Sequence, residues 1–305
     1  MNELKKTLRD ISNLKIQGAH AVAMESVKAL KYVLASSKST TVHKLIVELI
    51  LARNSLVATR PTEPCMRNAL SFVFHDLDYE DLRKLKLSLI KSMQGALTHL
   101  RSAEKQISEI GAMKIRNGMV IFTHCHSSFV VRILKEAKRT GKRFTVHNTE
   151  TRPLFQGRKT SRELASFGIK VTHYVDSAVR LALKKADLML IGADAITSEG
   201  KVINKIGSEL FAETAERFGI PVYSCTDSWK FDYDTLFGFE EPIEKRDKRE
   251  VWKEHIKNII VDNHAFEIID SNLITGVITE EGIYKPEVLV DVLKDKSPWM
   301  FRKNE

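Results

Sequence analysis

The chain has 305 residues, 43% of them hydrophobic and 29% charged, which suits one large domain or two ordinary ones with a sizeable core. No stretch approaches the ~20 apolar residues that a membrane span needs, and the opening Met1-Asn2-Glu3-Leu4-Lys5-Lys6 lacks the apolar stretch of a secretory signal, so a cytoplasmic location is expected. A formal charge of +9 draws anions, yet no zinc finger, RNP-type aromatic motif or helix-turn-helix accompanies it, so a phosphorylated small molecule or acidic partner is expected rather than specific nucleic acid.

Residues 1–110 hold only two glycines and two prolines, and their apolar residues recur at helical spacing. Leu4, Leu8, Ile11 and Leu14 form one stripe, and Val27, Leu30, Val33 and Leu34 a second. Segments 41–58, 65–75 and 79–110 read the same way, with Asp76 and Asp78 as candidate caps for the last. An all-helical N-terminal domain is expected over 1–110.

Beyond Gly111 the pattern changes. Short β-branched or apolar runs lie at 119–123, 144–148, 169–175, 187–191, 221–225, 258–261 and 275–279, with amphipathic helical patterns at 128–139, 160–167, 177–186 and 207–218. Strand alternating with helix implies a parallel sheet with right-handed crossovers. The fold class is therefore α/β, the helical domain being followed by a Rossmann-like, mostly parallel-sheet domain over 111–305. Neither GxGxxG nor GxxxxGK[ST] occurs, so the common nucleotide cradles are absent and no cofactor is expected. The short join near Gly111 implies that the halves pack together.

In such a sheet, ligands gather outside the carboxyl ends of the strands. Two acid–base candidates stand there: Cys125, in Thr123-His124-Cys125-His126-Ser127, and Asp194, in Gly192-Ala193-Asp194. A thiol beside a helix start at Ser127-Ser128, flanked by His124 and His126, is expected to have a lowered pKa; an inert buried cysteine is the plainer alternative. Asp194 could be an acid raised by burial, or a turn cap. Asn204-Lys205-Ile206-Gly207-Ser208 follows a hairpin expected at Glu199-Gly200 and opens a helix, which suits an anion. Arg60, Arg152 and Lys230 each sit at a break or strand end, where a phosphate contact or a solvated charge would both fit. Three cysteines without a CxxC pair argue against disulfides and structural zinc, and adjacent His124, Cys125 and His126 would point to opposite sides of a strand, so no metal is expected.

Taken together, these segments resemble one superfamily. It contains the α, β and δ subunits of translation initiation factor 2B, methylthioribose-1-phosphate isomerase and archaeal ribose-1,5-bisphosphate isomerase. The resemblance runs through Arg60-Pro61-Thr62, Thr123-His124-Cys125-His126-Ser127, Thr149-Glu150-Thr151-Arg152-Pro153, Gln156-Gly157, Val175-Asp176-Ser177-Ala178, Gly192-Ala193-Asp194, Asn204-Lys205-Ile206-Gly207, Trp229-Lys230-Phe231 and Ile278-Thr279-Glu280. Thr-His-Cys-His-Ser and Thr-Glu-Thr-Arg-Pro look most like the ribose-1,5-bisphosphate isomerase branch.

The resemblance implies an aldose–ketose isomerase in which protonated Asp194 serves the ring oxygen and Cys125 thiolate removes the C2 proton. It implies substrate contacts from Gly18, Arg60, Arg152, Asn204, Lys205 and Lys230, and a homo-dimer or homo-hexamer. The isomerases carry Arg-Gly-Ala where this chain has Gln17-Gly18-Ala19, which removes a charge and a bidentate fork from one phosphate contact. Asp227-Ser228-Trp229 also departs from the usual Glu before Ser/Thr-Tyr. The rival from another class is a non-catalytic regulatory subunit that binds initiation factor 2, nucleotides or sugar phosphates. A third reading is methylthioribose-1-phosphate isomerase.

Overall fold

The structure, a computed structural model, describes residues 2–240 and 243–301; positions 241, 242 and 302–305 of the expected second domain lie outside the described residues. Five helices come first: α1 (Asn2–Ser12), α2 (Ala19–Ser36), α3 (Val42–Thr59), α4 (Pro64–Val73) and α5 (Leu82–Ala112). Each turns its apolar stripe inward, so that Ile11, Val27, Leu30, Leu45, Leu56, Met66 and Leu89 are all fully buried. The cap of α5 is Asp81, whose carboxylate accepts the amide of Lys84 at 2.8 Å, and not Asp76 or Asp78. Asp78 instead accepts the amide of Glu80, and Asp76 has left-handed backbone. Leu14 likewise falls outside α1, in a left-handed turn at φ 56°.

The remaining elements are β1 (Val120–Thr123), α6 (Ser128–Arg139), β2 (Thr145–Thr149), α7 (Gln156–Ser166), β3 (Lys170–Tyr174), α8 (Val179–Leu183), β4 (Leu188–Ile191), β5 (Ala195–Ile196), β6 (Val202–Lys205), α9 (Ser208–Arg217), β7 (Val222–Cys225), β8 (Phe266–Ile269), β9 (Gly276–Thr279), β10 (Gly282–Tyr284) and α10 (Leu289–Lys296). Seven strands form one sheet in the order β10-β9-β7-β4-β1-β2-β3, parallel except for β10 at the edge. From β1 the chain steps outward to β2 and β3, returns to β4 on the other side of β1, and continues to β7 and β9. Numbered along the chain, the six parallel strands run 3-2-1-4-5-6, with the reversal between β1 and β4.

A second sheet, β5-β6-β8, is antiparallel and begins with the expected hairpin through Gly200. The strand expected at 258–261 does not form. Its isoleucines face outward, Ile260 being 94% exposed, and the strand of this region is β8. Buried side chains form two clusters: one runs from α1–α5 to Phe122 of β1, Met189 of β4 and Val277 of β9, and the other joins the end of α5 and α6 to Ile121, Leu190 and Ile278 on the sheet's opposite face. At the join, α5 crosses α6 so closely that a Cβ on Gly111 would collide with Ile133. Among the described residues, no helix is long and apolar enough to cross a membrane.

Candidate active site

The two strands flanking the reversal point end in the two acid–base candidates: Cys125 follows β1 and Asp194 follows β4. Both line one cavity of about 370 Å³ at the carboxyl edge of the sheet. Gln17, Gly18, Ala19, Arg60, Asn204, Lys205 and Lys230 line it too, so nearly all the residues singled out from the sequence meet in one place.

Cys125 is held in a constrained backbone. Its φ is 64°, a left-handed value uncommon outside glycine and costing about 1–3 kcal/mol. Its amide donates to Thr151 Oγ1 at 3.0 Å and its carbonyl accepts from Thr160 Oγ1 at 2.8 Å, which fixes the turn. The loop supplying Thr151 is itself pinned, because a Cβ on Gly157 would land on the carbonyl oxygen of Thr149. Asn148 Nδ2 also donates to the Gly157 carbonyl at 2.9 Å.

The electrostatics differ from expectation. Burial pushes the Cys125 thiol up to about 11, outweighing the pull of nearby Lys205 and of the His126 amide. The flanking histidines are not cations. His124 is lowered to about 4 by burial, and Nε2 donates to the Ile206 carbonyl at 3.0 Å while Nδ1 receives Thr149 Oγ1. His126 is also lowered to about 4 by burial, with Nδ1 at 3.0 Å from Thr160 Oγ1. Ser127 caps the helix that starts at Ser128 beside the thiol, and lost hydration is the largest effect on the thiolate.

Burial also raises the Asp194 carboxyl, against the pull of Lys230, Lys205 and Arg60. Glu63, which sequence reasoning overlooked, lines the same cavity at 2% exposure. Burial first and Asp194 second raise it to about 7. One of its oxygens binds Arg60 Nη2 at 2.8 Å; the other is buried without a partner. Glu63 is visible in the sequence only as an acid between Thr62 and Pro64 at the start of α4, an ordinary helix-cap position, and its meaning comes from Asp194 across the fold.

Five cations line the cavity that holds this acid pair. Lys230 Nζ donates to the Ala193 carbonyl, Lys205 lies 4.6 Å over the Phe266 ring, and Arg60 pairs with Glu63 and with Glu244 at 3.3 Å. Lys159 and Arg246 also line the cavity and were missed, each lying in a highly charged stretch with no distinguishing neighbour. Two helix starts add backbone N–H groups: α2, whose cap Gly18 sits at φ 86° with no side-chain cap bond, and α7 at Gln156.

Arg152 is placed elsewhere. The amides of Thr151 and Arg152 both donate to the Asp176 carboxylate, at 2.9 and 2.7 Å, and this turn sends the guanidinium outward. There it donates to the Val251 carbonyl at 3.1 Å and covers the Phe155 ring, and it does not line the cavity. Gln17 lies at the rim, but its amide donates back to the Leu14 carbonyl at 2.6 Å.

Fold and cavity together define a Rossmann-like α/β protein with a thiol and a carboxyl at the topological reversal, in a cavity whose lining cations suit a small anion. The chain belongs to the Initiation factor 2 subunit family, which it matches over residues 15–286. It is 38% identical to the ribose 1,5-bisphosphate isomerase of Pyrococcus furiosus over 315 aligned positions, covering 100% of this chain and 97% of that protein. It is 36% identical to the ribose 1,5-bisphosphate isomerase of Thermococcus kodakarensis, covering 100% and 98%. Among solved structures, it is similar to the translation initiation factor eIF-2B of Pyrococcus horikoshii OT3, with a TM-score of 0.79 and 27% identity over 93% of this chain and 97% of the other.

Proposed function

We propose that this chain is an aldose–ketose isomerase converting ribose 1,5-bisphosphate to ribulose 1,5-bisphosphate. The observation that carries the reading is the meeting of Cys125 and Asp194 in one cation-lined cavity at the ends of β1 and β4. Full-length similarity to two ribose 1,5-bisphosphate isomerases supports it. The site residues are Cys125 and Asp194 for chemistry, and Gly18, Ala19, Arg60, Asn204, Lys205 and Lys230 for substrate. Lys159 and Arg246 are added to these in place of Arg152.

In the proposed reaction the Asp194 carboxyl gives its proton to the ring oxygen, and the Cys125 thiolate takes the proton from C2. The ring opens to an enol that still bears both phosphates. The Cys125 thiol then protonates C1, and the O2 proton returns to the Asp194 carboxylate, which leaves the ketose and restores both groups. A thiol near 11 is a strong base once ionised, well matched to a weakly acidic C–H, though few molecules carry it as thiolate at neutral pH. Lys205, Lys230 and Arg60 hold phosphate and offset the charge that develops on the enol.

The expected division is a helical domain over 1–110 and a catalytic domain over 111–305, in a cytoplasmic protein. Self-association, as dimer or hexamer, belongs to the same proposal. Its support is an outward-facing run of Val251, Trp252, Ile256, Ile259 and Ile260 beside the cavity.

The test is turnover of ribose 1,5-bisphosphate by the purified protein, followed as ribulose 1,5-bisphosphate. Cys125→Ser and Asp194→Asn should each remove turnover while far-UV circular dichroism stays unchanged. Methylthioribose 1-phosphate as the only substrate turned over, capture of initiation factor 2 without any turnover, or activity surviving both substitutions would overturn the proposal.

A further inference from the structure

Behind the cavity lies a second group of titratable side chains that the isomerisation does not use. His99 on α5, Asp227 after β7 and Glu280 after β9 each present a ligand atom within 4.8 Å of the other two. His99 Nε2 stands 3.4 Å from Asp227 Oδ1 and 3.5 Å from Glu280 Oε1. A charge-assisted bond from imidazolium to carboxylate closes to about 2.8 Å. Ligands held about 2.1 Å from a tetrahedral ion stand about 3.4 Å apart. Both distances lie at the long end for a direct hydrogen bond or ion pair, and both match the separation of two ligands on one tetrahedral ion.

An independent observation points to the same place. His20, on α2, is 6% exposed, and neither of its ring nitrogens has a hydrogen-bond partner. Its Nδ1 faces Asp227 Oδ2 at 3.8 Å, and that oxygen is itself buried and unpartnered. Its Nε2 lies 3.5 Å from Glu104 Oε1. Buried polar atoms left without partners are rare and call for a water or an ion.

The surroundings orient the donors. The His99 ring stacks on Trp229 at 4.0 Å between centroids. Asp227 Oδ1 accepts the Trp229 amide at 2.8 Å, and Glu280 accepts from the amide and hydroxyl of Ser228. Each carboxylate oxygen keeps a lone pair free for an ion, and outer hydrogen bonds of this kind aim metal ligands.

We infer that His99, Asp227 and Glu280, with a water as fourth ligand and His20 facing the second Asp227 oxygen from the catalytic cavity, bind one divalent cation of the zinc type. Two carboxylates balance its charge, and an imidazole donor favours it over magnesium or calcium. The ion joins α5 to the ends of β7 and β9. It also fixes the turn that carries Lys230, three residues after Asp227, into the catalytic cavity.

The experiment uses tag-free full-length protein, stripped with chelator and titrated calorimetrically with Zn²⁺ alone, with Co²⁺ absorption recorded in parallel. The expected result is one equivalent per chain, a four-coordinate Co²⁺ spectrum and no thiolate charge-transfer band. His99→Phe, which keeps a ring against Trp229, and Glu280→Gln, which keeps an oxygen for Ser228, should each weaken binding about tenfold or more. Cys125→Ser should bind as the unmodified protein does. Circular dichroism identifies a variant that fails to fold, and the other variant then carries the test. Absence of Zn²⁺ uptake by the unmodified protein, uptake equally strong in both ligand variants, or loss of uptake in Cys125→Ser would each overturn the inference.

Discussion

Asp194 and Cys125 set the pH range in which the proposed chemistry can run, and Glu63 adds a further ionisation beside them. The active ionisation is an Asp194 carboxyl with a Cys125 thiolate, yet the thiol binds its proton more tightly than either acid does. The active form is thus a minor tautomer of the state with carboxylate and thiol. The kcat/KM profile should rise on the acid side as the Asp194 carboxyl ionises, above its ordinary range, and fall on the alkaline side near 11. Glu63→Gln removes a carboxyl that ionises only near 7, after Asp194 is already charged. Its profile should lack the inflection near 7 that ionisation of Glu63 beside Asp194 imposes on the unmodified protein, while the acid limb stays in place. Measured profiles that overlay for the two proteins would contradict this. At this scale Cys125 and Asp194 were legible because each closes an apolar strand run before a break. Arg152 was misplaced because its direction is set by Asp176, a contact 24 residues away that no local pattern records.

The parallel strands declared themselves by β-branched or apolar runs of five to seven residues, all found within a residue or so of their expected bounds, most clearly in β4, where burial on both faces leaves an unbroken signature. The run at 258–261 carries the same signature with the opposite outcome. Composition reports that apolar surface must be covered, not which molecule covers it. β8 stayed hidden because Phe266-Glu267-Ile268-Ile269 sits in a half-covered antiparallel sheet and holds a charged residue. The segment from Val251 to Ile260 adjoins Arg246, which lines the cavity, and its Val251 carbonyl anchors Arg152. If a second copy covers this segment, Ile260→Glu should reduce the mass measured by light scattering at micromolar concentration. Far-UV circular dichroism should not change, since a side chain 94% exposed supports no fold within its own chain. An unchanged mass would place the interface on another face.

Across the whole molecule, the alternation of strand and helix foretold a parallel sheet, but not its order. The 3-2-1-4-5-6 sequence that sets β1 beside β4 is a property of long-range pairing, and it alone makes neighbours of Cys125 and Asp194. Gathering so many ionisable groups there leaves a trace in stability that two substitutions can read with opposite signs. His124 has its folded pKa lowered to about 4. The unfolded chain takes up this proton near 6.5 while the fold refuses it, so the stability His124 contributes is complete above 6.5 and is lost as pH falls toward 4. Glu63 is raised to about 7, so its contribution is complete below about 4.5 and is lost as pH rises toward 7. Whatever each substitution costs at a single pH, His124→Gln should gain on the unmodified protein as the solution is acidified from 6.5 to 4, by up to about 1.4 kcal/mol per pH unit. Glu63→Gln should gain on it as pH is raised from 4.5 to 7, at a similar slope. Urea unfolding of the three proteins at half-unit pH steps measures both differences, and parallel curves would mean that these two groups titrate in the fold as they do in the open chain.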